Sequence, residues 1–166
     1  MEKLWSTWRS HYIDSFKNHT GKESCVFCDA VEQDENSDDS LVVQKGNNSF
    51  IIMNLYPYNG GHIMVVPNRH ICDLNELNRE EFAEITLQIQ SVTEALKKIM
   101  APQGFNIGAN IGRAAGAGID THLHFHIVPR WEGDTNFMTS IGKVKVISQD
   151  LLDIKKRLQS ELNIKE

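Results

Sequence analysis

A histidine occupies every second position in the stretch Thr121-His122-Leu123-His124-Phe125-His126-Ile127-Val128-Pro129-Arg130-Trp131. Side chains alternate between the two faces of an extended strand, so a strand over His122–Val128 predicts three imidazoles on one face, about 6.6 Å apart. An imidazole has an ordinary pKa of about 6.5 and can serve as nucleophile, proton donor or metal ligand near neutral pH. The alternative is a half-buried strand whose polar face happens to carry histidine. Because three of the seven histidines fall on this short face, the pattern favours a functional site.

The whole chain has the composition of a single globular domain spanning residues 1–166. It has 166 residues, 40% of them hydrophobic, and a formal net charge of -5. That charge argues against a protein that binds nucleic acid mainly through phosphate contacts. No apolar run approaches the roughly 20 residues that span a bilayer, and the first residues lack a signal-peptide core, so we expect no membrane segment and a cytoplasmic location.

Hydrophobic periodicity and turn signals predict an α+β fold, an antiparallel sheet with one long packing helix and a C-terminal helix. The predicted elements are an amphipathic N-terminal segment at 1–20, a solvated acidic loop at 29–40, strands at 41–44, 50–55, 62–67 and 105–111, and a helix at 148–163. The long helix begins with a capping box, Asn78 and Glu81, and ends near Met100. Its predicted buried stripe consists of Phe82, Ile85, Ile89, Val92 and Leu96.

The histidine stretch resembles the signature of the histidine triad (HIT) family, in which three histidines alternate with apolar residues. Other segments resemble a bacterial branch related to diadenosine tetraphosphate phosphorylases. These are Leu4-Trp5-Ser6-Thr7-Trp8-Arg9, Asn54-Leu55-Tyr56-Pro57-Tyr58-Asn59-Gly60-Gly61-His62, Ala115-Gly116-Ala117-Gly118 and Gly133-Asp134-Thr135-Asn136-Phe137-Met138. The resemblance runs from residue 4 to about residue 147 and implies a HIT-like fold.

The resemblance implies a nucleotidyl transferase or hydrolase that acts at the α-phosphate of a nucleotide. In that reading His124 attacks phosphorus and carries the nucleotidyl group until water or phosphate removes it, and His126 contacts the phosphate. His122 and His62 form the supporting hydrogen-bond chain; the alternative for His62 is a residue that merely starts a strand. Catalysis by His124 requires one free ring nitrogen, so the other must donate to a fixed acceptor, commonly a backbone carbonyl.

Nucleotide-binding residues are expected on both sides of the histidine strand. Asn54 matches the position where the family binds ribose. The loop Gly112–Gly118, with Gly116, Ala117 and Gly118, lets backbone N–H groups approach phosphate oxygens. Asn110 lies beside this loop, and Arg113 is either a polyphosphate contact or a solvated side chain. Many members carry Gln, Ser or Thr just before the histidine strand, whereas Ala117, Gly118 and Ile119 leave the oxyanion to backbone groups.

Cys25 and Cys28 form a Cys-x-x-Cys pair in a chain with only three cysteines. An odd cysteine count without a secretion signal disfavours a disulfide framework. By resemblance His70 and His122 complete a structural zinc site; the alternative is two reduced structural cysteines. If His122 binds zinc, it anchors His124 and relays no proton. Cys72 is expected in the core.

The resemblance implies cleavage of a dinucleoside polyphosphate, with adenosine as the base and a homodimer as the assembly. Two alternatives stay open: a purine nucleoside phosphoramidase that shares His124, and a nucleotide-binding or sensing protein with little turnover. The sequence does not distinguish water from phosphate as the second acceptor.

Overall fold

The structure is a computed structural model that describes residues 25–134 and 149–163. The described helices are α1 (Val26–Val31), α2 (Arg79–Met100) and α3 (Leu151–Asn163). The described strands are β1 (Val42–Lys45), β2 (Ser49–Met53), β3 (Ile63–Pro67), β4 (Gly104–Gly108) and β5 (Phe125–Arg130). Short 3₁₀ helices occur at Leu74–Glu76 and Arg113–Ala115. The amphipathic segment predicted at 1–20 lies outside the described residues.

The described strands form one antiparallel sheet in the order β1-β2-β3-β5-β4. The first three strands follow one another as a meander, and β5 lies between β3 and β4. Every residue of β2 and β3 is buried, which agrees with their central place in the sheet. Helix α2 packs against β2 and β3, and α3 packs against α2 and β1. The predicted α+β fold with a long packing helix and a C-terminal helix is confirmed.

The histidine strand begins later than predicted, at Phe125 rather than His122. Its ladder with β3 starts at the pair Val65 and Phe125. The preceding residues make other hydrogen bonds: Leu123 N donates to Ile71 O at 2.6 Å, and His122 Nε2 donates to Pro67 O at 2.9 Å. The strict alternation predicted for all three histidines therefore does not hold through the whole stretch.

The other four predicted strands are present with shifted ends. β4 ends at Gly108, not Ile111, because Gly108 pairs with His126 and the ladder then runs out at the start of β5. β2 ends at Met53 instead of residue 55, because the Asn54 side chain accepts a hydrogen bond from Tyr56 N at 2.9 Å and starts a turn.

Helix α2 begins where its capping box predicts. Asn78 Oδ1 accepts from Glu81 N at 2.8 Å, and Glu81 Oε2 accepts from Asn78 N at 2.9 Å. One residue of the predicted buried stripe is wrong: Phe82 is 52% exposed. Glu81 lies inward in its place because Arg69 binds its carboxylate at 2.5 Å. Within residues 25–134 and 149–163, no helix is long and apolar enough to cross a membrane.

Helix α3 begins at Leu151 rather than at Ser148, after Asp150, whose side chain accepts from the N–H groups of Leu152 and Asp153, as an N-cap does. Buried Lys155 of this helix donates to the carbonyls of Ser37 and Ser40 at 2.8 and 2.7 Å. These bonds join α3 to the acidic segment. The predicted loop at 29–40 is corrected to 32–40, because residues 29–31 end α1.

Candidate active site and metal centre

The antiparallel pairing of β3 and β5 brings three histidines together. His62 immediately precedes β3, and His126 lies opposite Met64 in β5. The ring centroid of His126 is 5.1 Å from that of His62 and 4.8 Å from that of His124. His122 lies apart from them, beside two cysteines. The histidine stretch thus supplies two residues to one cluster and one to another.

The imidazole of His124 is held in a single orientation. Its Nδ1–H donates to the backbone carbonyl of His122 at 2.8 Å, and its ring packs on Phe27 with centroids 5.0 Å apart. Burial lowers the pKa of His124 below its ordinary value, so the ring is neutral at pH 7. No group of the described chain hydrogen-bonds to Nε2, which keeps its lone pair. The fixed backbone acceptor expected for a nucleophilic histidine is present.

His62 and His126 share a hydrogen bond whose direction follows from the backbone. The N–H of Tyr58 donates to His62 Nδ1 at 3.0 Å, so a neutral His62 must carry its proton on Nε2. His62 Nε2 lies 2.9 Å from His126 Nδ1, so its N–H donates and His126 Nδ1 must accept. His126 therefore carries its own proton on Nε2. This order gives His126 a hydrogen-bond donor for a ligand beside His124.

Burial keeps this pair neutral. It lowers the pKa of His62 to about 3, with a further contribution from the nearby His126 and His124 rings. Burial also lowers the pKa of His126 to about 4, again with a smaller contribution from His124. Both rings are uncharged at pH 7, which the single shared proton requires.

The second cluster consists of Cys25, Cys28, His70 and His122, whose candidate ligand atoms all lie within 4.8 Å of one another. His122 Nδ1 is 3.2 Å from Cys25 Sγ and 3.7 Å from Cys28 Sγ. His70 Nδ1 is 3.3 Å from Cys28 Sγ. Helix α1 brings the two sulfurs together because it begins directly after Cys25 and carries Cys28 in its first turn.

These four residues fit a tetrahedral zinc ion. Zinc–sulfur and zinc–nitrogen bonds of about 2.3 and 2.0 Å place sulfur and nitrogen ligands roughly 3.6 Å apart, close to the observed separations. A ligating histidine usually donates its other N–H to a fixed acceptor, and His122 Nε2 does so to Pro67 O. Burial raises the pKa of the Cys28 thiol to about 11 without a metal, so a bound cation would have to displace its proton.

A cavity of about 590 Å³ opens beside His124 and His126, within the 300–1,000 Å³ usual for small-molecule sites. Its described lining is mostly apolar: Val26, Phe27, Leu41, Ile52, Met53, Asn54, Leu55, Tyr56, Tyr58, Met64, Gly118, Ile119, His124 and His126. Val26 and Phe27 lie between the two cysteines, so α1 connects the Cys25, Cys28, His70 and His122 cluster to the cavity wall. Sequence reasoning did not single out these two residues.

Only some of the predicted nucleotide-binding residues line the described cavity. Asn54 lines the cavity, and its Nδ2 lies 3.2 Å from His62 Nδ1. Gly118 also lines the cavity, but the described lining does not include Asn110, Gly116 or Ala117.

Arg113 is likewise absent from the described cavity wall; its side chain is 86% exposed and binds Asp120 at 2.6 Å. The prediction that Cys72 is a core residue is wrong. Cys72 is exposed, and its thiol lies 3.6 Å from Glu76 Oε1, a residue of the short 3₁₀ helix.

Comparison with known proteins agrees with this geometry. Residues 35–133 match the model of the HIT domain. The chain is 39% identical to AP-4-A phosphorylase of Mycobacterium tuberculosis over 97% of this chain and 84% of that protein. It is 32% identical to adenosine 5'-monophosphoramidase hnt1 of Schizosaccharomyces pombe over 64% of this chain and 74% of that protein.

The chain is also similar in fold to a solved histidine triad family protein. A zinc-bound histidine triad family protein from Mycobacterium smegmatis superposes with a TM-score of 0.67 at 28% identity, over 87% of this chain and 96% of that one. Both relatives named above are nucleotide-processing enzymes, and the prediction of an enzyme of this kind is confirmed. The family model covers more than half of the chain, and the chain therefore belongs to the HIT domain family.

Proposed function

We propose that the protein cleaves dinucleoside polyphosphates, represented by diadenosine tetraphosphate, at the α-phosphate through a nucleotidyl-His124 intermediate. The observation that carries the proposal is the fixed tautomer of His124. Its Nδ1–H is engaged by the His122 carbonyl, and its Nε2 lone pair has no hydrogen-bond partner among the described residues. A neutral, oriented imidazole beside a cavity is a competent nucleophile near pH 7.

In the first step, His124 Nε2 forms a bond to the α-phosphorus. The bond from phosphorus to the bridging oxygen breaks, and the leaving nucleoside polyphosphate takes the electron pair. This leaving group is a weak base, so it needs a hydrogen bond from His126 Nε2–H rather than a full proton. The His122 carbonyl stabilises the positive charge that develops on the His124 ring.

In the second step, an oxygen of phosphate or water attacks the same phosphorus, and the phosphorus–nitrogen bond breaks. His124 recovers its lone pair, and the nucleotidyl group leaves as a nucleoside diphosphate or monophosphate. The name of the Mycobacterium tuberculosis relative, a phosphorylase, supports phosphate as the acceptor. Both acceptors approach the phosphorus from the cavity side.

The cavity supports a nucleoside as the recognised group. Its mostly apolar wall, which includes Phe27, Ile52, Tyr56 and Tyr58, suits a purine ring. Both named relatives act on adenosine nucleotides, which supports adenosine as the base. Asn54 is the proposed ribose contact, because it is a polar side chain in this wall. Its amide also lies within hydrogen-bond distance of His62.

We further propose that Cys25, Cys28, His70 and His122 hold a structural zinc ion. The ligand separations and the bond from His122 Nε2 to Pro67 O support this assignment. A bound ion would tie α1 to the segment before β5 and so fix the His122 carbonyl on which His124 depends. It would take no part in the bond-breaking steps.

The proposed assembly is a homodimer formed through β4. This strand lies at the edge of the described sheet, and its last three residues are exposed. Ile107 is 49% exposed and lies in the same region as the exposed Ile111. A free edge with apolar residues is a natural surface for pairing with a second copy. Sedimentation equilibrium of the protein and of an Ile107→Lys variant tests this proposal.

Product analysis tests the proposed activity. Diadenosine tetraphosphate is supplied with and without inorganic phosphate, and the nucleotides are separated by anion exchange. Phosphorolysis gives ADP and ATP, whereas hydrolysis at an α-phosphate gives AMP and ATP. We expect ADP and ATP when phosphate is present. Two ADP molecules from hydrolysis without phosphate would mean cleavage at the central position and would contradict attack at the α-phosphorus.

A further inference from the structure

The hydrogen bond that orients His62 comes from a turn, not from the sheet. Residues 56–61 form this turn between β2 and β3, and Tyr58 N is the donor that fills His62 Nδ1 at 3.0 Å. Asn54 Nδ2 lies 3.2 Å from the same nitrogen, and Asn54 Oδ1 accepts from Tyr56 N of this turn, so the tautomers of His62 and His126 depend on two donors that the turn positions. If the turn moved, both donors would shift, and His62 could place its proton on Nδ1 instead.

Asn59 holds the turn in place. Its side chain is buried, and Nδ2 donates both to Pro129 O in β5 at 2.9 Å and to Asp134 Oδ2 at 2.8 Å. The backbone carbonyl of Asn59 accepts from His62 N at 3.2 Å. One residue thus connects the turn, the buried histidine and the strand that carries His126.

Asp134 anchors Asn59 in turn. Its side chain is 8% exposed and accepts from Arg130 Nε at 2.7 Å, Arg130 Nη2 at 2.9 Å and Trp131 N at 3.1 Å. Arg130 Nη1 also donates to Asn106 Oδ1 in β4 at 2.7 Å. Two strands therefore fix the carboxylate on which Asn59 rests. A buried, multiply bonded carboxylate of this kind is costly to disturb.

Gly61 adds a steric constraint to the same turn. It has a φ of 72°, a conformation that favours glycine. A Cβ atom at this position would lie 2.7 Å from Met100 Sδ and 3.3 Å from Pro129 Cγ. The turn is packed closely against α2 and β5, so its shape is determined from both sides.

We propose that Asn59 and Asp134 are positioning residues for catalysis: they hold the turn so that His62 and His126 both carry their protons on Nε2. This inference rests on the proposed function, in which His126 Nε2–H serves the leaving oxygen. With the opposite tautomer, His62 Nε2 would accept from His126 Nδ1–H. His126 Nε2 would then hold a lone pair facing the phosphate, which repels anionic oxygen and offers no hydrogen bond.

Two variants test the proposal, Asp134→Asn and Asn59→Ser, with Glu84→Gln as the matched control. Glu84 is a half-buried carboxylate that accepts hydrogen bonds from Asn48 and Ser49 at the β1–β2 turn, away from the cavity. Its substitution weakens the fold without contact with the turn at 56–61. Long-range ¹H–¹⁵N correlation spectra of labelled protein distinguish the Nδ1–H and Nε2–H tautomers of each histidine.

We expect wild type and Glu84→Gln to show Nε2–H for His62 and His126. The two test variants should show mixed tautomers, and their kcat should fall by about 10- to 100-fold, part of what a positioned hydrogen-bond donor contributes. Their KM should change little, because the cavity wall is intact. Wild-type spectra and kcat in both variants would overturn the proposal, as would a raised KM with normal kcat.

The two readouts separate the proposals. The spectra need no substrate, so they test the turn even if wild type fails to cleave diadenosine tetraphosphate, a result that would defeat the proposed function alone. If Asp134→Asn does not fold, Asn59→Ser decides by the same spectra and rates.

Discussion

His62 Nε2 lies 2.9 Å from His126 Nδ1, so one proton joins a fully buried ring to the ring beside the proposed nucleophile. One more proton on this neutral pair would bring positive charge into an apolar pocket and close to His124. The pair is therefore restricted to its neutral form. This restriction makes the stability of the fold depend on pH.

Acid should destabilise the protein through His62. The pKa of His62 is about 3 in the folded chain, because of burial, and about 6.5 when unfolded. As pH falls below 6.5 the unfolded state binds a proton that the folded state does not. The free energy of unfolding therefore keeps its full value with respect to His62 above about pH 6.5 and decreases as pH falls from there towards 3. The slope is about 1.4 kcal/mol per pH unit for one histidine.

A His62→Gln variant isolates this contribution. Free energies of unfolding from urea titrations between pH 7.5 and 4.5 should give a shallower pH dependence for the variant than for wild type, by about 1.4 kcal/mol per unit below pH 6. The cluster of Cys25, Cys28, His70 and His122 is common to both proteins and cancels in the difference. Parallel curves would show that His62 is not held neutral in the folded chain.

The metal centre should depend on Cys28 and not on Cys72. We expect about one zinc per chain in wild type, little in Cys28→Ser, and a normal content in Cys72→Ser, because Cys72 is exposed and lies outside the ligand cluster. Elemental analysis of each protein, purified without chelator, measures the zinc content per chain.

Loss of the ion should also weaken nucleotide binding, since α1 carries Val26 and Phe27 in the cavity wall. Calorimetric titration of AMP into Cys28→Ser and Cys72→Ser measures this effect. A metal-free wild type that cannot take up zinc would show that the two cysteines are only structural.

Diadenosine tetraphosphate should be a better substrate than adenosine 5'-phosphoramidate. Gly118 and Ile119 line the cavity, and neither has a hydroxyl or amide side chain that could hydrogen-bond to a phosphate. A longer anionic chain gains more from backbone N–H groups and His126 than a single phosphorus does. The ratio of kcat/KM for the two substrates measures this difference. A clear preference of wild type for the phosphoramidate would exclude the dinucleotide assignment.

A Gly118→Ser variant refines this comparison. Apart from the chain neighbours of Gly118, no atom of the described residues lies within 4 Å of a Cβ placed there, so the structure leaves room for the hydroxyl. One added hydrogen bond to the phosphate should raise kcat/KM for the phosphoramidate by roughly 2- to 10-fold. An unchanged value would mean that this part of the loop does not contact the reacting phosphate.

Local signals predicted the fold well where a single contact determines an element. Asn78 and Glu81 predicted the start of α2 because both halves of a capping box lie within four residues. Phe82 was wrongly predicted to be buried, because the spacing of apolar residues within the helix carries no information about Arg69. The salt bridge with Arg69, which lies outside the helix, holds Glu81 in the buried position. The late start of β5 has the same origin, since Leu123 N–H donates to Ile71 O, outside the sheet.

The sequence predicted some of the side chains that lie together at the candidate site and none of its backbone groups. The Cys-x-x-Cys pair and the alternating histidines were visible in residue types and spacing, whereas the resemblance to the HIT family supplied His70 and His122 as ligands and His62 as a hydrogen-bond partner. Tyr58 N–H has no signature in the sequence, because every residue except proline carries such a group. The role of Phe27 depends on the approach of α1 to β5, which residue spacing alone does not predict.

The assignment of His124 as nucleophile is tested most directly by trapping the intermediate. Enzyme mixed with diadenosine tetraphosphate in the absence of phosphate is quenched within milliseconds in alkaline denaturant, which preserves phosphorus–nitrogen bonds. Peptide mass spectrometry then locates the adduct. We predict one adenylyl group on His124 in wild type and none in His124→Gly, which should still bind AMP while losing turnover. Turnover at the wild-type rate by His124→Gly, or an adduct on another residue, would contradict the assignment.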